Sequence, residues 1–213
     1  MRVRLRQIIL TRILWIERTE VVFMEKPLVS VVMPVYNGER YIGKAIESAL
    51  GQEVPVEVLV IDDCSADGTE LAVMKYMDSG KIRYIQNEQN MGAARSRNRG
   101  VKEARGKYIA FLDADDWWAP TYLEEMNSLI AAYPDAGIYG SSYFIVKNGK
   151  KRIAPIGVET DFDSGLINYC QVYSKTLCMP LWTGATILKK SIFEEEHGFK
   201  PRLKLGEDFD LWI

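Results

Sequence analysis

The stretch Lys107–Trp118, KYIAFLDADDWW, decides how the chain is read. Tyr108, Ile109, Ala110, Phe111 and Leu112 form a short continuous apolar run, the pattern of a strand buried on both faces of a parallel sheet. The run ends in acid, with Asp113, Asp115 and Asp116 crowded at what would be the strand's carboxyl end, where open α/β sheets place their ligands. Carboxylates this close repel one another unless a cation or a set of donors neutralises them, and hard oxygen ligands suit Mg²⁺ or Mn²⁺. A metal site is the leading expectation. The plainer alternative is that one Asp caps the helix expected near Pro120 while the others are solvated.

Upstream, the same pattern repeats. Leu28–Met33 is a β-branched apolar run ending in a turn at Pro34, Val35, Tyr36 and Asn37, and Glu39–Leu50 carries apolar residues at helical spacing. Val56–Ile61 is a second strand closing on Asp62 and Asp63, followed by a turn-rich loop suited to capping the next helix. Ile82–Ile85 is a third, and a helix over about 93–104 carries Arg95, Arg97 and Arg99. The order β-α-β-α-β-α-β predicts a mostly parallel sheet flanked by helices, with the three polar strand ends along one edge. Beyond Pro120 the pattern predicts a helix over Tyr122–Tyr133. It then predicts a hairpin pairing Ile138–Val146 with Lys151–Ile156 through Asn148-Gly149. A helix over Asp163–Tyr173, a strand over Trp182–Leu188 and a helix over Lys190–His197 follow. The last residues, Gly206 to Trp212, read as an acidic helix start.

A chain of 213 residues with 47% hydrophobic and 26% charged residues is expected to form one domain with one core. A net charge of −2 argues against nucleic acid as a partner. Three scattered cysteines and the single His197 favour neither a disulfide framework nor a zinc site. That leaves carboxylate chemistry and a reducing, cytoplasmic setting. Residues 1–25 are a separate basic leader, with Arg2, Arg4, Arg6, Arg12 and Arg18 against only Glu17 and Glu20. The leader suits either a peripheral contact with the inner face of a membrane or a start codon placed ahead of Met24.

Four segments in order, SVVMPVYNGERYIGKAIESALGQ, EVLVIDDCSADGT, NMGAARSRNRGVKEARGKYIAFLDADD and GFKPRLKLGEDFDLW, resemble the family 2 glycosyltransferases. The resemblance implies an α/β GT-A (Rossmann-like) fold in a single domain over residues 26–213, and an inverting, nucleotide-sugar-dependent transferase. It leads one to expect Pro34 and Tyr36 beside the nucleoside, and Asp62 and Asp63 on the uracil imide. Arg97 is expected near the base or the diphosphate, and Asp113, Ala114 and Asp115 match the Asp-x-Asp element, in which Asp115 would bind Mg²⁺ or Mn²⁺ and Asp113 would meet the ribose or metal-bound water. Asp208 would be the catalytic base, with Trp182, Gly184 and Glu207 on the acceptor side. The implied partners are a UDP-sugar donor and a saccharide or lipid-linked acceptor, in cell-surface polysaccharide synthesis. The family normally continues past Glu207-Asp208, so the chain reads as incomplete at its C-terminus. One rival, a nucleotidyltransferase, would place a Gly-rich phosphate loop after the first strand, where PVYNGE stands. The other is an inactive fragment or non-catalytic module that still holds the nucleotide.

Overall fold

The computed structural model describes residues 28–159, 161–203 and 206–212. The basic leader lies outside them, as does the middle of the segment joining Leu203 to Gly206.

Four strands, β1 (Val29–Val35), β2 (Val56–Asp62), β3 (Ile82–Gln86) and β4 (Tyr108–Phe111), alternate with helices α1 (Ile42–Leu50), α2 (Thr69–Met74) and α3 (Ala93–Glu103). All their pairings are parallel, in the order β3-β2-β1-β4. The predicted doubly wound half is therefore present. Downstream come α4 (Tyr122–Ala132), β5 (Ile138–Gly140), β6 (Phe144–Lys147), β7 (Lys150–Ile153), α5 (Tyr169–Thr176), β8 (Thr186–Lys189), α6 (Lys190–Glu195) and α7 (Glu207–Trp212). β8 inserts between β4 and β5, antiparallel to both, to complete a six-stranded mixed sheet.

The central strands are buried on both faces because each alternates between two cores. Val31, Met33, Val58, Val60, Ala110 and Leu112 face α1 and α4, against Ile42, Ile46, Leu123 and Met126. Val32, Leu59, Ile61, Ile109 and Phe111 face the other way, against Val101 of α3, Phe193, Phe199 and Trp212. Near-continuous apolar strands are what a sheet covered on both sides demands, and the buried exceptions Ser30 and Glu57 satisfy each other at 2.6 Å.

Three expectations need correction. The strand expected over Ile138–Val146 is split. Ile138–Gly140 joins the main sheet through β8, and only Phe144–Lys147 turns through Asn148-Gly149 onto Lys150–Ile153. Both turn residues have positive φ, 51° and 73°, as a two-residue hairpin of this kind requires. The helix expected over Asp163–Tyr173 starts only at Tyr169, where Asn168 accepts the backbone N–H of Gln171 as its cap. Trp182 opens a 3₁₀ turn over Thr183–Ala185 rather than a strand, and pairing begins at Thr186.

The fit of α3 onto the sheet is closest at Gly100, where an added Cβ would sit 2.3 Å from Val32 Cγ1 and 3.2 Å from Ile61 Cγ1. Both neighbours are fully buried β-branched residues with little freedom to move. Gly100→Ala is expected to destabilise the protein by about 1–3 kcal/mol through overpacking. Chemical denaturation should show a lowered midpoint with an unchanged slope.

Candidate active site

The carboxyl ends of β1, β2 and β4 lie on one edge of the sheet, and the loops leaving them are braced against one another. Leaving β1, the backbone N–H of Asn37 donates to Ser65 Oγ at 2.8 Å and that of Gly38 to Thr69 Oγ1 at 2.9 Å. Returning the contact, Ala66 N–H donates to Asn37 Oδ1 at 2.8 Å and Gly68 N–H to Glu39 Oε2 at 3.2 Å. Two turn-rich segments that have no ladder of their own thus satisfy each other's backbone groups.

Above this brace opens a cavity of about 380 Å³. Pro34, Tyr36, Asp63, Arg97, Asp113, Ala114 and Asp115 all line it. Every residue expected on the donor side is there except Asp62. That carboxylate points away, accepting Ser65 N–H at 3.0 Å and the hydroxyls of Ser65 and Tyr84. Tyr41, Gly38 and Ser96 also line the cavity and were not anticipated. Tyr36 and Tyr41 are both more than half exposed, two aromatic faces open to solvent at the rim.

Asp63 is buried, and its carboxylate is largely engaged. Oδ1 accepts Asn87 Nδ2 at 2.7 Å and Met91 N–H at 2.9 Å, and Oδ2 accepts Gly92 N–H at 2.7 Å. Ser96 stands beside it as a fourth donor, which brings the donors to about the number of lone-pair sites a carboxylate has. Burial opposes ionisation of Asp63. The donors from Met91, Asn87, Gly92 and Ser96 outweigh it and hold the group below the ordinary carboxylate range.

Arg97 is the hinge of the electrostatics. Its guanidinium is 2.7 Å from Asp113 Oδ1 and 3.2 Å from Glu207 Oε1, and it lies over the Phe199 ring. Burial disfavours its charge, but Asp113 first, then Glu207 and Asp208, raise its pKa further above an already high value. Arg97 therefore stays a cation. One residue on α3 thereby ties the end of β4 to the first turn of α7. Asp208, next to Glu207, accepts the hydroxyl of Thr183 at 3.0 Å.

The expected acceptor-side residues gather on the same side. Trp182 Nε1 donates to Asp116 Oδ2 at 3.2 Å, and its ring stacks on Tyr143 at 5.7 Å. Gly184 accepts the indole N–H of Trp118 at 2.6 Å. Burial pushes Asp116 up. The Trp182 bond opposes that rise, and the charges of Asp113 and Asp115 add to it.

Among the described residues no three acidic, Cys or His side chains form a ready metal cage. The donor set still fits Mg²⁺ or Mn²⁺. Asp115 is exposed to the cavity with no ion-pair partner among the described residues, and Asp113 has a second oxygen beyond the one held by Arg97. Mg²⁺ is commonly held by one or two carboxylates plus substrate phosphates rather than by protein alone.

The Asp63 geometry yields a pH-dependent expectation. A depressed pKa in the folded state adds stability above the unfolded value, near 3.8, and that stability is lost as the pH falls through the folded value. Asp63→Asn removes one charged acceptor and should cost about 1.5–3 kcal/mol at pH 7. Thermal unfolding of the variant and parent should converge as the pH drops below 3.8.

The family model described as glycosyl transferase family 2 matches residues 30–195. A UDP-Glc:alpha-D-GlcNAc-diphosphoundecaprenol beta-1,3-glucosyltransferase from Escherichia coli, WfgD, is 34% identical over 194 residues, covering 89% of this chain and 70% of that protein. A putative teichuronic acid biosynthesis glycosyltransferase from Bacillus subtilis, TuaG, is 43% identical over 102 residues, covering 47% of this chain and 40% of that one. Among solved structures, TarS 1–349 from S. aureus in complex with UDP-GlcNAc superposes with a TM-score of 0.65 at 27% identity, covering 84% of this chain and 50% of that one. An uncharacterized Rickettsia bellii glycosyltransferase, 33% identical, is spanned over only 27% of its length. With the family model matched over most of its length, the chain belongs to glycosyl transferase family 2.

Proposed function

We propose that the protein transfers a sugar from a UDP-sugar to a hydroxyl of a saccharide or lipid-linked saccharide, with inversion at the anomeric carbon, in polysaccharide assembly at the cytoplasmic face of a membrane. The observation that carries the reading is the single cavity in which Pro34, Tyr36, Asp63, Arg97, Asp113, Ala114 and Asp115 meet. WfgD, by its name, takes UDP-Glc and a lipid diphosphate acceptor, and TarS has been crystallised with UDP-GlcNAc, which supports the choice of uridine nucleotide.

In this reading Tyr36 lies against the base, and Asp63 accepts the imide N–H in place of the Ser96 hydroxyl. A base without that donor would leave the site unpaired, which is the physical basis of selectivity. Asp115 and the second oxygen of Asp113 would hold Mg²⁺ or Mn²⁺, which when bound neutralises charge developing on the diphosphate as it leaves. Asp208 accepts the proton of the acceptor hydroxyl as that oxygen bonds to C1. The C1–oxygen bond to the diphosphate breaks on the opposite face, which inverts the centre. Thr183 holds one oxygen of Asp208 and so orients the other. Glu207, paired with Arg97, fixes the helix from which Asp208 projects.

Two measurements test this. Calorimetric titration should show UDP binding that depends on Mn²⁺, exceeds that of CDP or GDP, and falls at least about tenfold in Asp115→Ala. A folded sample that binds none of the three nucleotides would refute the donor-site reading. Asp208→Asn should leave UDP affinity unchanged and lower turnover with a cognate UDP-sugar by about 10²–10⁴.

A further inference from the structure

The exposed apolar surface is concentrated in one part of the molecule. Of the fourteen large hydrophobic side chains most open to solvent among the described residues, eight fall between Phe144 and Trp182. Three of them belong to the hairpin formed by β6 and β7. Phe144 is 56% exposed, Val146 44% and Ile153 59%. Register puts them together, since Phe144 lies opposite Ile153 and Val146 opposite Lys151, and directly opposed residues share a face of a two-stranded ribbon. An apolar patch therefore covers one side of the hairpin, with Lys151 Nζ 3.8 Å above the Phe144 ring.

The hairpin is also strongly cationic. Between Phe144 and Ile153 the sequence is FIVKNGKKRI, with Lys147, Lys150, Lys151 and Arg152 and no acid, in a chain whose net charge is −2. Among the described residues none of the four is in an ion pair. All four are exposed. Among the described residues this two-stranded ribbon with three open apolar side chains has no partner element to bury them, so packing within those residues does not account for their type.

Its root lies at the site. The ribbon continues for one more bond, from Ala154 N–H to the carbonyl of Tyr143 at 2.9 Å, and Tyr143 stacks on Trp182, the residue that binds Asp116. Tyr143 also donates its hydroxyl to the carbonyl of Met179 at 3.1 Å, which anchors the base of the ribbon to the segment leading into Trp182.

We propose that the β6–β7 hairpin docks the protein onto an anionic membrane surface. Phe144, Val146 and Ile153 enter the headgroup boundary with Lys151 on the same face, while Lys147, Lys150 and Arg152, on the opposite face, reach past the edges of the narrow ribbon to lipid phosphates. Apolar and cationic side chains on one small element are the signature of interfacial binding, where apolar burial and attraction to anionic lipid add. A second copy of the chain is a poorer occupant, because a symmetric pairing would bring two sets of four cations together. The inference deepens the lipid-linked acceptor reading above and rests on it only for the meaning of the docking: the surface that holds the membrane is rooted beside Trp182, so an acceptor anchored in lipid would reach the site from that side. No described helix is long and apolar enough to cross a membrane.

Vesicle flotation of the full chain tests this, with phosphatidylcholine vesicles prepared with and without phosphatidylglycerol. The parent is expected to float with the phosphatidylglycerol vesicles and to lose most of that binding as salt is raised. Each hairpin cation replaced by Gln should weaken binding about five-fold at low salt, and replacement of all four roughly a hundred-fold or more. Phe144→Ser with Ile153→Ser should weaken the salt-resistant remainder about ten-fold. A variant with Arg2, Arg4, Arg6, Arg12 and Arg18 replaced by Gln should keep its preference for phosphatidylglycerol. The proposal is overturned if the parent shows no such preference, if the hairpin variants float as the parent does, or if the leader variant alone abolishes binding. Folding of each variant is checked by circular dichroism and by UDP titration. Absence of UDP binding in the parent alongside hairpin-dependent flotation would refute the donor-site reading and leave the docking surface standing.

Discussion

Everything at the site depends on one buried cation held between two carboxylates that are far apart in sequence. Arg97 on α3 reaches Asp113 after β4 and Glu207 at the start of α7. Burying a guanidinium is costly unless its charge is compensated on the spot, and compensation from both sides leaves the two acids with little choice of position. The pairing also keeps one oxygen of Asp113 out of competition for any other cation, so the cavity at the strand ends and the first turn of α7 are not independent. Lysine could not serve in its place, since a point charge cannot span two acceptors with fixed geometry as a planar fork does. The Nε of Arg97 is buried without a partner, a residual cost that the two ion pairs must offset.

The parallel half of the fold was legible because its physics is local. Each unit is a β-branched run, a polar turn and an amphipathic helix in immediate succession, so period and punctuation suffice. The same logic placed Pro34, Tyr36, Asp63, Asp113 and Asp115 at strand ends, where the cavity lies. What escaped was set by partners distant in sequence. Ile138–Val146 reads IYGSSYFIV, and Gly140-Ser141-Ser142 at its middle is a local break signal that the expectation of one continuous strand passed over, although which pieces pair with what is not written there. That pairing is set by Thr186–Lys189, some forty residues later. Asp62 and Asp63 look interchangeable in sequence, yet the pleat turns one toward Tyr84 and the other toward Asn87. Trp182 keeps the extended backbone of a strand residue, but its carbonyl accepts Ala185 N–H at 2.8 Å and so opens a 3₁₀ turn instead of a ladder.

Burial divides the two halves of the site as well. On the donor side the side chains that matter are locked. Asp63 has four donors, Arg97 two acids, and the loop from β1 is stitched to the loop from β2. On the other side Trp182 is partly open and its side chain is bonded through a single indole N–H, and the described residues between Ile156 and Asn168 form no helix or strand. A rigid half suits a ligand portion common to every reaction of one type, and a looser half suits the portion that varies.

The position of β8 has a consequence for how the chain reaches this state. The strands β1 to β4 can pair as soon as residue 111 is in place, since each contacts a strand already made. β4 then remains an edge whose residues Tyr108, Ile109 and Ala110 are apolar on both faces, with free backbone groups, until Thr186–Lys189 arrives to close it. During synthesis that edge stays open while some seventy-five further residues are added. An apolar, unpaired strand is a template for pairing with other chains. The antiparallel return of β8 therefore acts as the molecule's lock against aggregation, and the half of the protein that carries the strand-end cavity depends on the other half to remain single.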